Sequence, residues 1–271
     1  MSNTFRYLLH LADNALMLGQ RNAEWTGHGP VLEQDIALTN ISLDLIGQAR
    51  NLYSHAADLF NGLSAAEKTM ADDLLPHAWK NFNRELQEDD LAFLRTQNQY
   101  LNLHLCELPI GDWAFTILRQ FFFSAYQVPL YQQLQSASDA QLAAIAEKSG
   151  KEVTYHLRWS SEWVIRLGDG TAESNRRINK ALAELWPYTG EISTETELEL
   201  AAINAGINID MAEVAAAWRQ TIDRVFEDAT LQIPDAIPFQ QGGKSGVHTE
   251  YIGPLLAEMQ YLQRTYTNVT W

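Results

Sequence analysis

Between Pro30 and Phe60 the apolar residues Leu32, Ile36, Leu43, Ile46, Tyr53, Ala57 and Phe60 recur at about helical spacing, and Pro30 suits a first helical position. A helix over that span would hold about 30 residues and run about 45 Å. An element so long buries its apolar stripe only against other long helices. The same periodicity predicts helices over 4–20, 64–105 (broken), 112–136, 139–167, 171–186, 211–228 and 249–265, and alternating strand patterns are hard to find. The expected fold is therefore all-α.

Local signals punctuate these helices. "SAAE" at 64–67 and "SDAQ" at 138–141 match the capping box, in which a serine hydroxyl and a Glu or Gln three residues on satisfy exposed amides. "LGDG" at 167–170 ends one helix, and Thr171 can cap the next. Around 190–209 the chain turns acidic and less periodic. This predicts a bundle over 1–190 and a C-terminal helical extension over 191–271 packed on it. The stretch 231–248, "LQIPDAIPFQQGGKSGVH", reads as a loop.

Composition narrows the function classes. A chain of 271 residues, 46% apolar, can bury a large core. Its formal charge of −15, from 34 acids against 19 bases, repels phosphate backbones and anionic lipid, so neither nucleic acid nor membrane is an expected partner. The single cysteine, Cys106, allows no internal disulfide, fits a reducing cytoplasm and reads as a small buried apolar residue. Arg6, His10 and Asp13 interrupt the N-terminal apolar residues, so this stretch is not read as a signal peptide. The uncharged run Gln120 to Ser138 contains Pro129 and many amides and suits a buried bundle helix better than a membrane span.

Long helices with short connections suggest a bundle of the kind that holds two metal ions between four helices. That site takes a Glu from each of two helices and a Glu-x-x-His from each of the other two. The residues three places before the seven histidines are Tyr7, Trp25, Leu52, Leu74, Leu101, Val153 and Ser245, none of them acidic. The whole of 113–138, where a core helix is expected, lacks Asp and Glu. Glu152 and His156, four residues apart, remain as a vestigial metal pair, and a hydrogen bond along one helix is the simpler reading of them. Asn40, Asp44, Gln48, Asn51 and His55 form a polar stripe that reads either as a solvated face or, because Gln48 stands where a ligand histidine is expected, as a buried amide network without metal. "GGKSG" at 242–246 fails the phosphate-loop pattern, because Pro238 stands where its first glycine belongs; what survives is a loop whose amides and Lys244 could meet an anion.

Four stretches carry a resemblance: "LADNALMLGQRNAEWTGHGPVLEQDIALTNISLDLIGQARNLYSHAADL", "GDWAFTILRQFFFSAY", "KEVTYHLRWSSEWVIRLGDGT" and "GGKSGVHTEYIGPLLAEMQYLQR". Over residues from about 5 to 271 the chain resembles the C-subunit family of bacterial phenylacetyl-CoA 1,2-epoxidases. The resemblance implies a ferritin-like four-helix bundle with additional C-terminal helices. It implies a catalytic A subunit as partner, which carries the di-iron centre, and further subunits including a reductase. No cofactor is implied in this chain. In the frame of the catalytic subunits, one Glu-x-x-His falls on Leu45 to Gln48, the other on Val153 to His156, and the first-helix Glu near Ala15.

The implied role is a non-catalytic structural subunit in aerobic phenylacetate degradation, with no catalytic residues of its own. Phenylacetyl-CoA is expected at or near the subunit interface. Gln99, Tyr100, Leu101 and Asn102, read as part of an amide-rich helix, and Leu200, Ala201 and Ala202 correspond to family stretches that touch it. Trp25, Trp79 and Trp218 are interface candidates whose simpler reading is core. Two alternatives stay open: an independent ferritin-like oxygenase with an atypical metal site at Glu152 and His156, and an acyl-CoA binding module.

Overall fold

The computed structural model describes residues 2–234 and 237–269. Asp235 and Ala236 of the expected loop, and Trp271 at the end of the resemblance, lie outside the described residues. Helix α1 (Ser2–Ala23) packs along α2 (Leu32–Asn61), and α3 (Trp113–Leu134) along α4 (Ala140–Gly168). The two hairpins meet through α2 and α4, forming the expected ferritin-like bundle. Helix α5 (Ala172–Leu185) lies against α3 and α4, α6 (Glu197–Asn204) against α1, and α7 (Met211–Asp228) mainly against α3, while α8 (Ile252–Met259) follows the 231–251 segment. No strand occurs among the described residues, and none of their helices is long and apolar enough to cross a membrane.

Charged caps set where α3 and α4 start. Asp112 accepts from the Phe115 amide at 3.0 Å and opens α3, so the acid needed at the helix's positive end sits just outside its acid-free body. Asp139 accepts from the Gln141 and Leu142 amides and opens α4. The cap of α4 is therefore Asp139 rather than Ser138, whose hydroxyl donates instead to the Gly206 carbonyl at 2.8 Å. The capping box at Ser64 and Glu67 forms as expected. Helix α3 is buried on nearly every face, which fits its almost uncharged sequence. Gly168 ends α4 where a Cβ would stand 2.1 Å from the Ala229 carbonyl oxygen, so the close approach of α4 to the end of α7 requires glycine. Side chains from the C-terminal segment, including Met211, Trp218, Ile222 and Leu256, join the same apolar cluster as Leu8, Leu45 and Phe121 of the bundle.

The expected broken helix over 64–105 is the main departure. Short helices at Ala65–Met70 and Glu88–Phe93 alternate with 3₁₀ turns, and the chain is extended at Tyr100 and Leu103. Gln99 ends a 3₁₀ turn, so the amide-rich stretch is not a helix. Side chains of α1 take its backbone groups. His10 Nδ1 donates to the Leu101 carbonyl at 2.7 Å, Asp13 accepts from the Leu101 amide at 2.7 Å, and Asn14 accepts from the Leu103 amide at 2.7 Å.

Candidate functional site

At the positions the catalytic frame assigns to ligands, the bundle axis carries Ala15, Leu45 and Val153, all without solvent exposure. Aliphatic side chains offer a cation nothing. The polar groups left nearby bond mostly to one another, although His156 Nδ1 and Gln127 Oε1 are buried without a hydrogen-bond partner. Gln48 on α2 donates to Glu152 on α4 at 2.9 Å and accepts weakly from Gln127 and Tyr131 on α3 at 3.4 and 3.5 Å. One helical turn along, His156 donates from Nε2 to Asp44 at 3.1 Å. Higher on α3, Gln120 accepts from Asn22 at 2.6 Å and donates to Ser124 at 2.8 Å. Of the predicted polar stripe only Gln48 is buried and joins this network; Asn40 is exposed, Asp44, Asn51 and His55 are half-buried, and the other members come from α1, α3 and α4. Glu152 and His156 do not pair along α4 as the simpler sequence reading held; each reaches across to α2 instead. With the α1 carboxylate, Asp13, bound to Arg95, no carboxylate on α3 and aliphatic groups at three ligand positions, these residues do not fit a di-iron centre.

A second polar region lies on the flank, where the extended 100–103 segment meets the 242–249 loop. Asp13 is fully buried and binds the Arg95 guanidinium with both carboxylate oxygens, while the Tyr53 hydroxyl also donates to it. Arg95 stacks over the Tyr100 ring at 4.1 Å and donates to the Leu91 and Gln99 carbonyls. Burial works against the charge on Arg95, yet Asp13 outweighs it and holds the guanidinium above its ordinary pKa. The amides of Gly242 and Gly243 form an anion nest, and its occupant is internal: the Glu191 carboxylate accepts from both at 3.0 and 2.8 Å and from the His104 amide at 2.8 Å. Lys244 is no free anion receptor either. It is buried, and its ammonium meets Glu199 at 2.6 Å and donates to the Thr194 carbonyl at 2.7 Å.

Between these lies Glu107, which accepts from His248 Nδ1 at 2.7 Å, Asn102 at 2.8 Å, and the Thr249 amide and hydroxyl at 2.7 Å each. His248 Nε2 donates to the Tyr100 carbonyl at 2.9 Å, so both ring nitrogens donate and the ring is cationic. Burial opposes both charges, but the pair overcomes it: His248 titrates above and Glu107 below its ordinary value.

Of the seven residues expected near a substrate, Gln99, Tyr100, Leu101, Asn102 and Ala202 are buried, Ala201 is half-buried, and Leu200 is 42% exposed. Gln99 donates to the Asp73 and Leu75 carbonyls, and the Tyr100 hydroxyl donates to the Ala92 carbonyl, so their polar atoms are engaged within the chain. The fold does bring the two stretches to opposite sides of one loop. Gly243 abuts the Asn102 carbonyl, where a Cβ would stand 2.1 Å away, and the next residue, Lys244, pairs with Glu199 beside Leu200. A cavity of about 360 Å³ opens there, lined by Thr194, Thr196, Leu198, Lys244 and Ser245 among others. Trp218 is buried and donates to the Phe122 carbonyl at 3.0 Å; Trp25 donates to Thr116, and Trp79 packs on Phe60. The three tryptophans thus pack inward. Cys106 is buried, and burial pushes its thiol well up.

A search for an acid three places before each histidine passes over the His104, Glu107 and His248 cluster. In "HLCE" the acid follows the histidine, and that reverse spacing is the local signal of the cluster.

The sequence profile of the phenylacetic acid catabolic protein family matches residues 1–271. The chain is 42% identical over 271 residues to the C subunit of 1,2-phenylacetyl-CoA epoxidase from Escherichia coli (strain K12), covering 100% of each chain.

Proposed function

The chain belongs to the family of phenylacetic acid catabolic proteins, and on that premise we propose that it is a non-catalytic structural subunit of a phenylacetyl-CoA 1,2-epoxidase complex in the cytoplasm. The observation that carries this reading is the bundle axis itself, where Ala15, Leu45 and Val153 occupy ligand positions and Gln48 joins Glu152, Gln127 and Tyr131. The fold of a di-metal oxygenase is retained, and its metal chemistry is not. Such a copy keeps helix faces that dock a homologous bundle, so its partner is the catalytic subunit that holds the di-iron centre, served by a reductase. Contact with the CoA ester falls to Leu200 and Ala201 at the surface. Gln99 to Asn102 hold the wall behind them.

Co-expression with the catalytic subunit tests the reading. The two chains co-purify, the bundle-type iron follows the partner, and His156→Ala leaves epoxidation by the complex within about twofold of the parent. Turnover by this chain alone, or loss of the complex's activity in a folded His156→Ala variant, overturns it.

A further inference from the structure

Away from the bundle axis, ligand atoms of His104, Glu107 and His248 all lie within 4.8 Å of one another. The two imidazoles are held alike: His104 Nε2 donates to the Val247 carbonyl at 2.7 Å and His248 Nε2 to the Tyr100 carbonyl at 2.9 Å. A backbone carbonyl on one ring nitrogen is the usual device that fixes the tautomer of a metal-binding histidine and leaves the other nitrogen as the ligand. On His104 that other nitrogen, Nδ1, is buried and has no hydrogen-bond partner. The neighbouring Asn102 Oδ1 is buried and unpartnered too, while the same amide's nitrogen holds Glu107 at 2.8 Å. Orphaned polar atoms in a dry interior are costly unless something occupies the space between them.

We propose that His104, Glu107 and His248 form a mononuclear divalent-metal site of zinc type that fastens the C-terminal loop to the extended segment behind α1. The ligands are Nδ1 of each histidine and a Glu107 carboxylate oxygen. Zinc replaces the proton shared by His248 Nδ1 and Glu107, which is released to solvent. Those two atoms stand 2.7 Å apart. Two ligands on one tetrahedral zinc, with bonds of about 2.0–2.1 Å, stand roughly 3.3 Å apart, so the pair opens only slightly. Two histidines and a carboxylate also make the open iron sites of some oxygenases. Here the Glu107 and His248 side chains have no solvent exposure, which leaves no open face for oxygen and substrate and favours a closed structural site.

The test uses the full chain alone, stripped with a chelator and titrated with zinc against a chromogenic competitor. Wild type takes up one zinc per chain and melts at higher temperature with zinc than without. His104→Ala leaves the Glu107–His248 pair intact yet loses affinity by more than the roughly 10–100-fold that removal of an outer partner costs. His156→Ala, on the bundle axis, keeps full zinc binding. The proposal is overturned if wild type binds no stoichiometric zinc, if folded His104→Ala binds it as tightly as wild type, or if binding disappears in His156→Ala instead. The wild-type titration decides the matter even where a variant fails to fold.

Discussion

The bundle axis and the flanking junction are both polar regions buried in one helical protein, and they solve burial in opposite ways. The axis carries little charge: Gln48 meets Gln127 and Gln120 meets Ser124 through neutral hydrogen bonds, and Glu152 and His156 bond across to Gln48 and Asp44 on α2. The junction concentrates charge, with Asp13 on Arg95, Glu107 on His248, Glu191 on three amides and Glu199 on Lys244. Neutral amides cost little to bury and specify little. Paired charges are costly to bury, and each fixes its partner's position because a misplaced one is left unpaired. The junction, not the axis, therefore holds the irregular 64–112 crossover and the C-terminal extension on the bundle.

If that contrast is right, the largest loss of stability comes from breaking the most buried pair. Arg95→Ala leaves Asp13 as an uncompensated interior charge and should cost about 3–5 kcal/mol, read as a lower urea midpoint with an unchanged slope. A loss below about 1 kcal/mol would mean that the junction's charges are not what hold the crossover. Glu191→Ala comes next. It strands the amides of His104, Gly242 and Gly243 and should cost about 2–3 kcal/mol, with faster hydrogen exchange confined to the 242–249 loop and the start of the 104–107 turn.

How far the sequence foretold each region follows from the same contrast. The long helices were legible because their apolar spacing repeats over many turns, as from Leu32 to Phe60. So was the lack of any Glu-x-x-His, because a missing acid three places before every histidine is a local fact. The junction was not legible. Within its helix-like 97–105 stretch, residues 100–103 are pulled into an extended path by His10, Asp13 and Asn14, some 90 residues earlier, and no local propensity records such a partner. Its ion pair joins Glu107 to a histidine 141 residues away, and its acid follows His104 instead of preceding it. Lys244 reads from sequence as a receptor for an outside anion because sequence shows a glycine-rich loop but not the Glu191 and Glu199 carboxylates that fill it.

Smaller effects belong to the axis. Gln48→Leu removes the hub of the amide network and replaces it with a side chain of similar size, so the losses of the bonds to Glu152, Gln127 and Tyr131 are partly offset by apolar contact. The expected cost is about 1 kcal/mol, measured by urea denaturation, with no change in how the chain pairs with its partner. A cost near that of Arg95→Ala would erase the distinction between the two regions.

The smallest effect is one of pH, and only the junction should show it. Burial pushes the Glu199 carboxyl up, but Lys244, His10 and the Thr196 hydroxyl outweigh burial and hold it below the ordinary glutamate value. A carboxyl whose pKa is lowered by folding stabilises the native state above its unfolded pKa, and that share is lost as pH falls through the lower, folded value. Glu199→Gln should therefore lie furthest below wild type at neutral pH, and the gap should narrow below about pH 4.5, near the unfolded glutamate value. Denaturation of both proteins at pH 7, 5 and 3.5 measures it. A gap that stays constant would mean that Glu199 acts by shape and hydrogen bonding alone, and that the junction's charge at this position is incidental.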